Sequence, residues 1–451
     1  MRPQRRVSAI GSQSERGKPM PPGLLSRLLS GELTDPDGSG PLSVSTRRVV
    51  IDPSLAGREA DLIGQAGLQG PLLLVADAAT WSALGSRVFE ALRTRGIPIR
   101  KQVFPKDVHP TMTSVGVIEA AARGCAGLIA VGSGTVNDLA KYAAFRMQSP
   151  YVVFGTAASM NGYTSVNASI TVDGHKKTLG AAAPIAAFFD LEVLTLAPAR
   201  LTHAGVGDSL CRATAQTDWL LSHRLLGTPY REAPFYLLHE EEEALMTQLP
   251  ALATGSGAAM RHLVRTLVLS GFGMTICGGS HPASQGEHLI SHYLEMYEDP
   301  RWPKSYHGEH IAVSTVTMAR LQGALLAKPT LSFQPLVPTE TEFRRLFGDE
   351  LGTAFSTEFK RKMSLVETAG AAQRLTDHWP DIQAELSRVY RPAATIEVAL
   401  KAIGAPTRPS DIGIPEPSYR EAVRNARYIR DRYTFLDFAG DTGQASLYDE
   451  V

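Results

Sequence analysis

Three short, wholly apolar runs dominate the first part of the chain: LLLVA at residues 72–76, LIAV at 128–131 and YVVF at 151–154. A strand with one wet face alternates apolar and polar residues. A run without alternation suits a parallel strand covered on both faces. The segments between these runs, SALGSRVFEALRTRG, VGVIEAAARG and VNDLAKYAAFRM, carry helical spacing. IPIRKQVFP adds a further strand, and RRVVIDP a short one near Val49. Strands alternating with helices of this length define a doubly wound parallel sheet with right-handed crossovers.

From about residue 200 the character changes. AGVGDSLCRATAQTDWLLSH, AAMRHLVRTLVLSGFGM, SQGEHLISHYLEM and IAVSTVTMARLQGALLA are apolar at helical spacing, with few β-branched runs. The chain therefore divides into an α/β domain over 47–199 and an all-helical domain over 200–451, a size that suits two domains. Residues 1–46 are rich in Gly, Pro, Ser and Arg without periodicity, and are expected to be a flexible tail.

Composition excludes several classes. Lys plus Arg and Asp plus Glu both total 45, so there is no basic excess for a nucleic-acid partner. Cys125, Cys211 and Cys277 show no CxxC spacing, which argues against a disulfide framework and fits a reducing, cytoplasmic setting. No apolar run approaches the roughly 20 residues of a membrane span. The N-terminus is basic but lacks the apolar core of a secretory signal.

Two loops carry candidate binding chemistry. In AVGSGTVNDLAK, Gly132, Ser133 and Gly134 lie between a strand and a helix, where backbone N–H groups and the helix dipole can cradle an anion; a tight strand-to-helix turn also uses such glycines. GTAASMNGYTS follows the next strand as a second small-residue loop. Asp77 ends the strand LLLVAD, placed either to accept hydrogen bonds from a ribose or to cap a turn.

His288 and His292 are four apart and share a helix face; His307 precedes another helix, and Asp208 is expected to open a third. One carboxylate and two imidazoles make a divalent-metal site with open positions. The alternatives are Asp208 as an N-cap or first-turn acid and His292 or His310 as core or surface histidines. HExxH is absent.

The ordered segments GSGTVNDLAKY, GTAASMNGYTS, HKKTLGAAAP, AGVGDSLCRATAQTDWLLSH, GGSHPASQGEHLISHYLEM, YHGEHIAV and REAVRNARYIRDRYTFLDFA resemble the sn-glycerol-1-phosphate dehydrogenases. That family lies within the iron-containing alcohol dehydrogenase and dehydroquinate synthase-like superfamily. The likeness spans roughly residues 46 to 440. It implies NAD(H), with NADP(H) open, and one divalent Zn, Ni or Fe. It implies Asp208, His288 and His307 as metal ligands. Gly132, Ser133, Gly134 and Asp138 would form the pyrophosphate loop, and Thr156 and Ser159 the second cofactor loop. Asp77 would favour NAD, and His292 would stand near the substrate. The implied substrate is a small phosphorylated polyol or ketone, with Lys176 and Lys177 as phosphate partners; the implied assembly is a homo-oligomer. Two positions depart from the family pattern. Asn161 stands where an aspartate is usual, and His281 where an arginine is usual. Both lie in the substrate region, which keeps open a related polyol phosphate, a redox-neutral lyase or cyclase using NAD transiently, and nucleotide binding without turnover.

Overall fold

The structure is a computed structural model that describes residues 23–38, 40–172 and 175–451, with backbone alone at His175 and Lys176. Six strands form one parallel sheet: β1 (Arg48–Asp52), β2 (Leu72–Asp77), β3 (Ile99–Phe104), β4 (Gly127–Gly132), β5 (Tyr151–Gly155) and, after a hairpin, β8 (Ala186–Asp190). Their spatial order is β1-β8-β5-β4-β2-β3, every pairing parallel. The hairpin strands β6 (Asn167–Val172) and β7 (His175–Gly180) pair antiparallel outside this sheet. From Leu191 onward the chain is helical.

The unbroken apolar runs follow from burial on both faces. Leu73, Val75, Leu128, Ala130, Val153 and Ala187 pack into the core shared with the helical region. Their neighbours Leu72, Leu74, Ile129, Val131, Val152 and Phe188 pack into a separate core beneath the helices on the other face. The two sets interleave along each strand, because successive side chains leave opposite faces of a pleat.

The sheet also fixes where a ligand can sit. β2 lies between β3 and β4, so the chain moves outward from β2 and then returns past it to build β4. The crevice at the carboxyl ends of β2 and β4 is the switch point at which open α/β sheets bind ligands. Asp77 ends one of these strands and Gly132 the other.

The expectation of a flexible tail through residue 46 is corrected by the structure; residues 1–22 lie outside the described residues. Leu24–Leu29 is a short helix, and Leu24, Leu25, Leu28, Leu33 and Leu42 are buried in the main core. Asp35 and Asp37 pair with Arg231 in the helical region. The helix spans only six residues between Gly- and Pro-rich segments, too short a run to stand out as periodic.

Candidate active site

Asp208 lies in the last turn of the helix Ala199–Leu210. It does not open a helix, as its position after a glycine pair suggested, because the helix starts nine residues earlier, directly after Pro198. A buried carboxylate at a helix C-terminus faces the negative end of the dipole. The fold compensates partly. The backbone N–H of Asn161 donates to Asp208 Oδ2 at 2.7 Å, and the Asn161 amide Nδ2 donates to the Asp208 carbonyl at 3.2 Å. Asp208 Oδ1, also buried, has no hydrogen-bond partner.

His288 and His292 come from one face of the helix Gly286–Met296, their ring centroids 6.0 Å apart. His307 is the first residue of the helix His307–Leu326 and its ring lies 5.3 Å from that of His288. Glycines permit this convergence. Gly207 faces the carbonyl of Gly308, and Gly308 faces the carbonyl of Ala204, with no room at either position for a Cβ. The two helices therefore cross almost backbone to backbone, which brings Asp208 under His307. One ligand atom each from Asp208, His288 and His307 lies within 4.8 Å of the other two.

Carboxylates behind the histidines set which nitrogen faces inward. Glu287, fully buried, lies 3.0 Å from His288 Nδ1 and also accepts from the Gln285 backbone at 2.7 Å and from Thr214 Oγ1 at 3.1 Å. Glu295 lies 2.8 Å from His307 Nδ1 and 3.4 Å from His292 Nδ1. Such partners leave Nε2 of each ring as the free ligand atom or proton site. Burial, then the nearby Arg430 guanidinium, holds His292 well below the ordinary imidazole range, so it is neutral. Neither glutamate was singled out from the sequence, although both are visible in GEHLISHYLEM, one beside a histidine and one three residues beyond another.

These residues open on a cavity of about 320 Å³ whose far wall is the glycine turn after β4. Ser133, Gly134, Thr135, Asp138, Ser159 and Asn161 line it together with Asp208, His288, His292 and His307. A Cβ on Gly132 would stand 2.5 Å from the Cβ of Val136, so only glycine lets the helix Gly134–Arg146 start this close to the strand. Its first residues, Gly134 and Thr135, line the cavity, and the free N–H groups of a helix start can receive an anion. Asp138 is tied to the hairpin, its Oδ2 accepting from the Ser169 backbone at 3.0 Å. Thr156 is buried at the end of β5, its N–H donating to the Gly132 carbonyl at 3.2 Å. Asp77 lies at the switch point outside this cavity and caps the next turn, Oδ1 accepting from the Thr80 backbone at 2.8 Å.

Of the three substrate residues expected from sequence, the two whose side chains are described, Lys177 and His281, do not line this cavity. His281 stacks on Trp219 with 5.8 Å between ring centroids and does not line the cavity. Burial of that ring face, then Arg432, push its pKa down to about 4, so it carries no charge near neutrality. Lys177 is exposed, and its neighbour Thr178 lines the cavity; alternation along β7 turns the two opposite ways. The Lys176 side chain lies outside the described residues.

A parallel dinucleotide-type sheet, a glycine turn at its switch point and a His/His/Asp cluster carried on crossing helices define an iron-containing alcohol dehydrogenase-like oxidoreductase. Residues 50–198 match the family model described as iron-containing alcohol dehydrogenase. Closer relationships are with glycerol-1-phosphate dehydrogenases [NAD(P)+]. The Thermococcus kodakarensis enzyme of that name is 33% identical over 281 residues, covering 61% of this chain and 78% of that protein. The Bacillus velezensis one is 30% identical over 370 residues, covering 81% and 84%. The chain belongs to the glycerol-1-phosphate dehydrogenase family and is an NAD(P)-dependent oxidoreductase. In fold it is similar to NADH-dependent butanol dehydrogenase A from Thermotoga maritima, with a TM-score of 0.58, 16% identity, and coverage of 90% of this chain and 96% of that one. No helix among the described residues is long and apolar enough to cross a membrane.

Proposed function

We propose that this protein interconverts dihydroxyacetone phosphate and sn-glycerol 1-phosphate, or a close polyol phosphate, using NAD(P)(H) and one divalent metal ion. The observation that carries this reading is the buried, partnerless Oδ1 of Asp208, facing two oriented imidazoles across a cavity that ends on an anion-binding glycine turn. The residues fit both groups. Asp208, His288 and His307 would hold the ion, an N/O set that suits Zn, Ni or Fe. Gly132, Ser133 and Gly134 would receive the pyrophosphate, with Asp138, Thr156 and Ser159 shaping the loops around it, and Asp77 would face the adenosine ribose. When bound, the ion supplies Lewis-acid polarisation of a substrate oxygen and the nicotinamide supplies hydride.

The chain's own residues do the rest. Asn161 acts as a positioning residue, since both its backbone and its side chain hold Asp208. His292 enters the reaction neutral, with Nδ1 turned to Glu295, so Nε2 can accept the proton released from the substrate hydroxyl in the oxidation direction.

The test is NADH oxidation at 340 nm with dihydroxyacetone phosphate, using metal-stripped protein resupplied with Ni²⁺, Zn²⁺ or Fe²⁺. Metal-dependent turnover that disappears in His288→Ala and yields the sn-1 enantiomer supports the reading. Absence of turnover in protein shown to bind NADH and metal sinks it.

A further inference from the structure

The cavity also has a hydroxyl-bearing wall to which neither metal nor nucleotide is assigned. Thr178 from β7 and Ser280 and Ser284 from the segment before the Gly286–Met296 helix form it. Behind this hydroxyl-bearing wall stand two guanidiniums from the segment after the 426–428 turn. Arg430 Nη2 donates to Thr178 Oγ1 at 3.3 Å. Arg432 Nη2 donates to Ser280 Oγ at 2.9 Å, and its Nη1 donates to the Ser284 carbonyl. Neither arginine has a carboxylate within ion-pair distance among the described residues. Asp431, Glu358 and Glu295 act on Arg430, and Asp431 and Glu287 on Arg432, at longer range. The two cations repel each other: burial, then Arg430, brings Arg432 down to about 9. Two positive charges sharing one wall, with no carboxylate in direct contact, favour an anion brought between them.

We propose that Arg430 is the specificity residue that receives the substrate's phosphate dianion, with Thr178 and Ser280 donating beside it and Arg432 positioning the Ser280–Ser284 wall. This rests on the polyol phosphate reading above and names the phosphate end of that same site. A forked guanidinium backed by hydroxyls suits a phosphate monoester and gives an uncharged polyol nothing.

The experiment compares kcat/KM for dihydroxyacetone phosphate and for dihydroxyacetone in the metal-loaded wild type, Arg430→Gln and Arg430→Lys. It repeats the dihydroxyacetone assay with inorganic phosphite as a separate dianion. Losing one charge-assisted pair should cut kcat/KM for the phosphorylated ketone by roughly 30- to 100-fold. The loss for dihydroxyacetone, which carries no dianion, should be at least about tenfold smaller than the loss for its phosphate, and phosphite should activate dihydroxyacetone turnover in wild type but not in Arg430→Gln. The lysine variant, which keeps charge but not the fork, should fall between, and it decides the matter if the glutamine variant does not fold. Preference for the phosphorylated ketone retained in the Arg430 variants overturns the assignment to Arg430 while leaving the polyol phosphate reading intact. A wild type that handles dihydroxyacetone as well as its phosphate overturns both.

Discussion

Glu287 Oε1 lies 3.0 Å from His288 Nδ1, and Glu287 is fully buried while His288 lines the cavity. The ring is thereby held in the tautomer that turns Nε2 toward Asp208, 3.8 Å from Oδ1. Glu287 is itself held by the Gln285 backbone and Thr214, so the whole arrangement is oriented before any ion arrives.

Glu287→Gln keeps the shape and removes the charge. Partners of this kind typically contribute 10- to 100-fold to metal affinity. We expect a loss of about that size, read by competition with a calibrated chelator, with an unchanged circular dichroism spectrum. Metal affinity equal to wild type would mean that Glu287 serves only to cap the turn at Gln285.

The crossing of the helices at Gly207 and Gly308 makes a second prediction. Gly308→Ala drives a methyl into the carbonyl of Ala204, a backbone atom that cannot rotate away. Overpacking of this sort costs about 1–3 kcal/mol, visible as a lower denaturant midpoint. The larger effect should fall on metal binding, because the helices must separate and carry Asp208 away from His307. A variant that loses stability but keeps wild-type metal affinity would show that the cluster tolerates helix movement.

Much of this was legible in the sequence, for definite reasons. The strands of the parallel sheet announced themselves because burial on both faces leaves no polar residue in Leu72–Ala76 or Leu128–Val131. His288 and His292 were readable because helix period alone brings positions four apart together. Asp208 was recognised through its motif, but its place at the end of a helix was not, since Pro198 sets the start well upstream. The hairpin β6–β7 was missed: it pairs locally and its strands are partly polar, so no apolar run marks it. Arg430 and Arg432 lie more than a hundred residues from Thr178 and Ser280, and no local pattern reports a contact made by the tertiary fold.

Asp77 tests cofactor choice. It caps the turn through Oδ1, while the carboxylate's negative charge sits at the switch point where a ribose 2′-phosphate would arrive. Asp77→Ser retains a capping oxygen and removes the charge, so stability should change by less than about 0.5 kcal/mol. The ratio of kcat/KM for NADPH over NADH should rise by roughly tenfold or more, since like charges directly opposed are costly. An unaltered ratio would place the adenosine ribose elsewhere.

His281 offers a prediction with a sign. Its folded pKa of about 4 lies below the ordinary value of 6.5, through burial against Trp219 and the positive Arg432. Between these values the unfolded chain binds a proton that the folded chain does not, so folding stability falls as pH drops from about 6.5 toward 4. Above that window the group contributes no pH dependence. His281→Gln removes the titration, and its melting temperature should decline less steeply than wild type across this window. The same variant should leave KM for the phosphorylated ketone within about threefold, because His281 lies outside the cavity and is uncharged at neutral pH. Parallel pH–melting curves for the two proteins would show that His281 titrates normally, and a large rise in KM would return it to the substrate site.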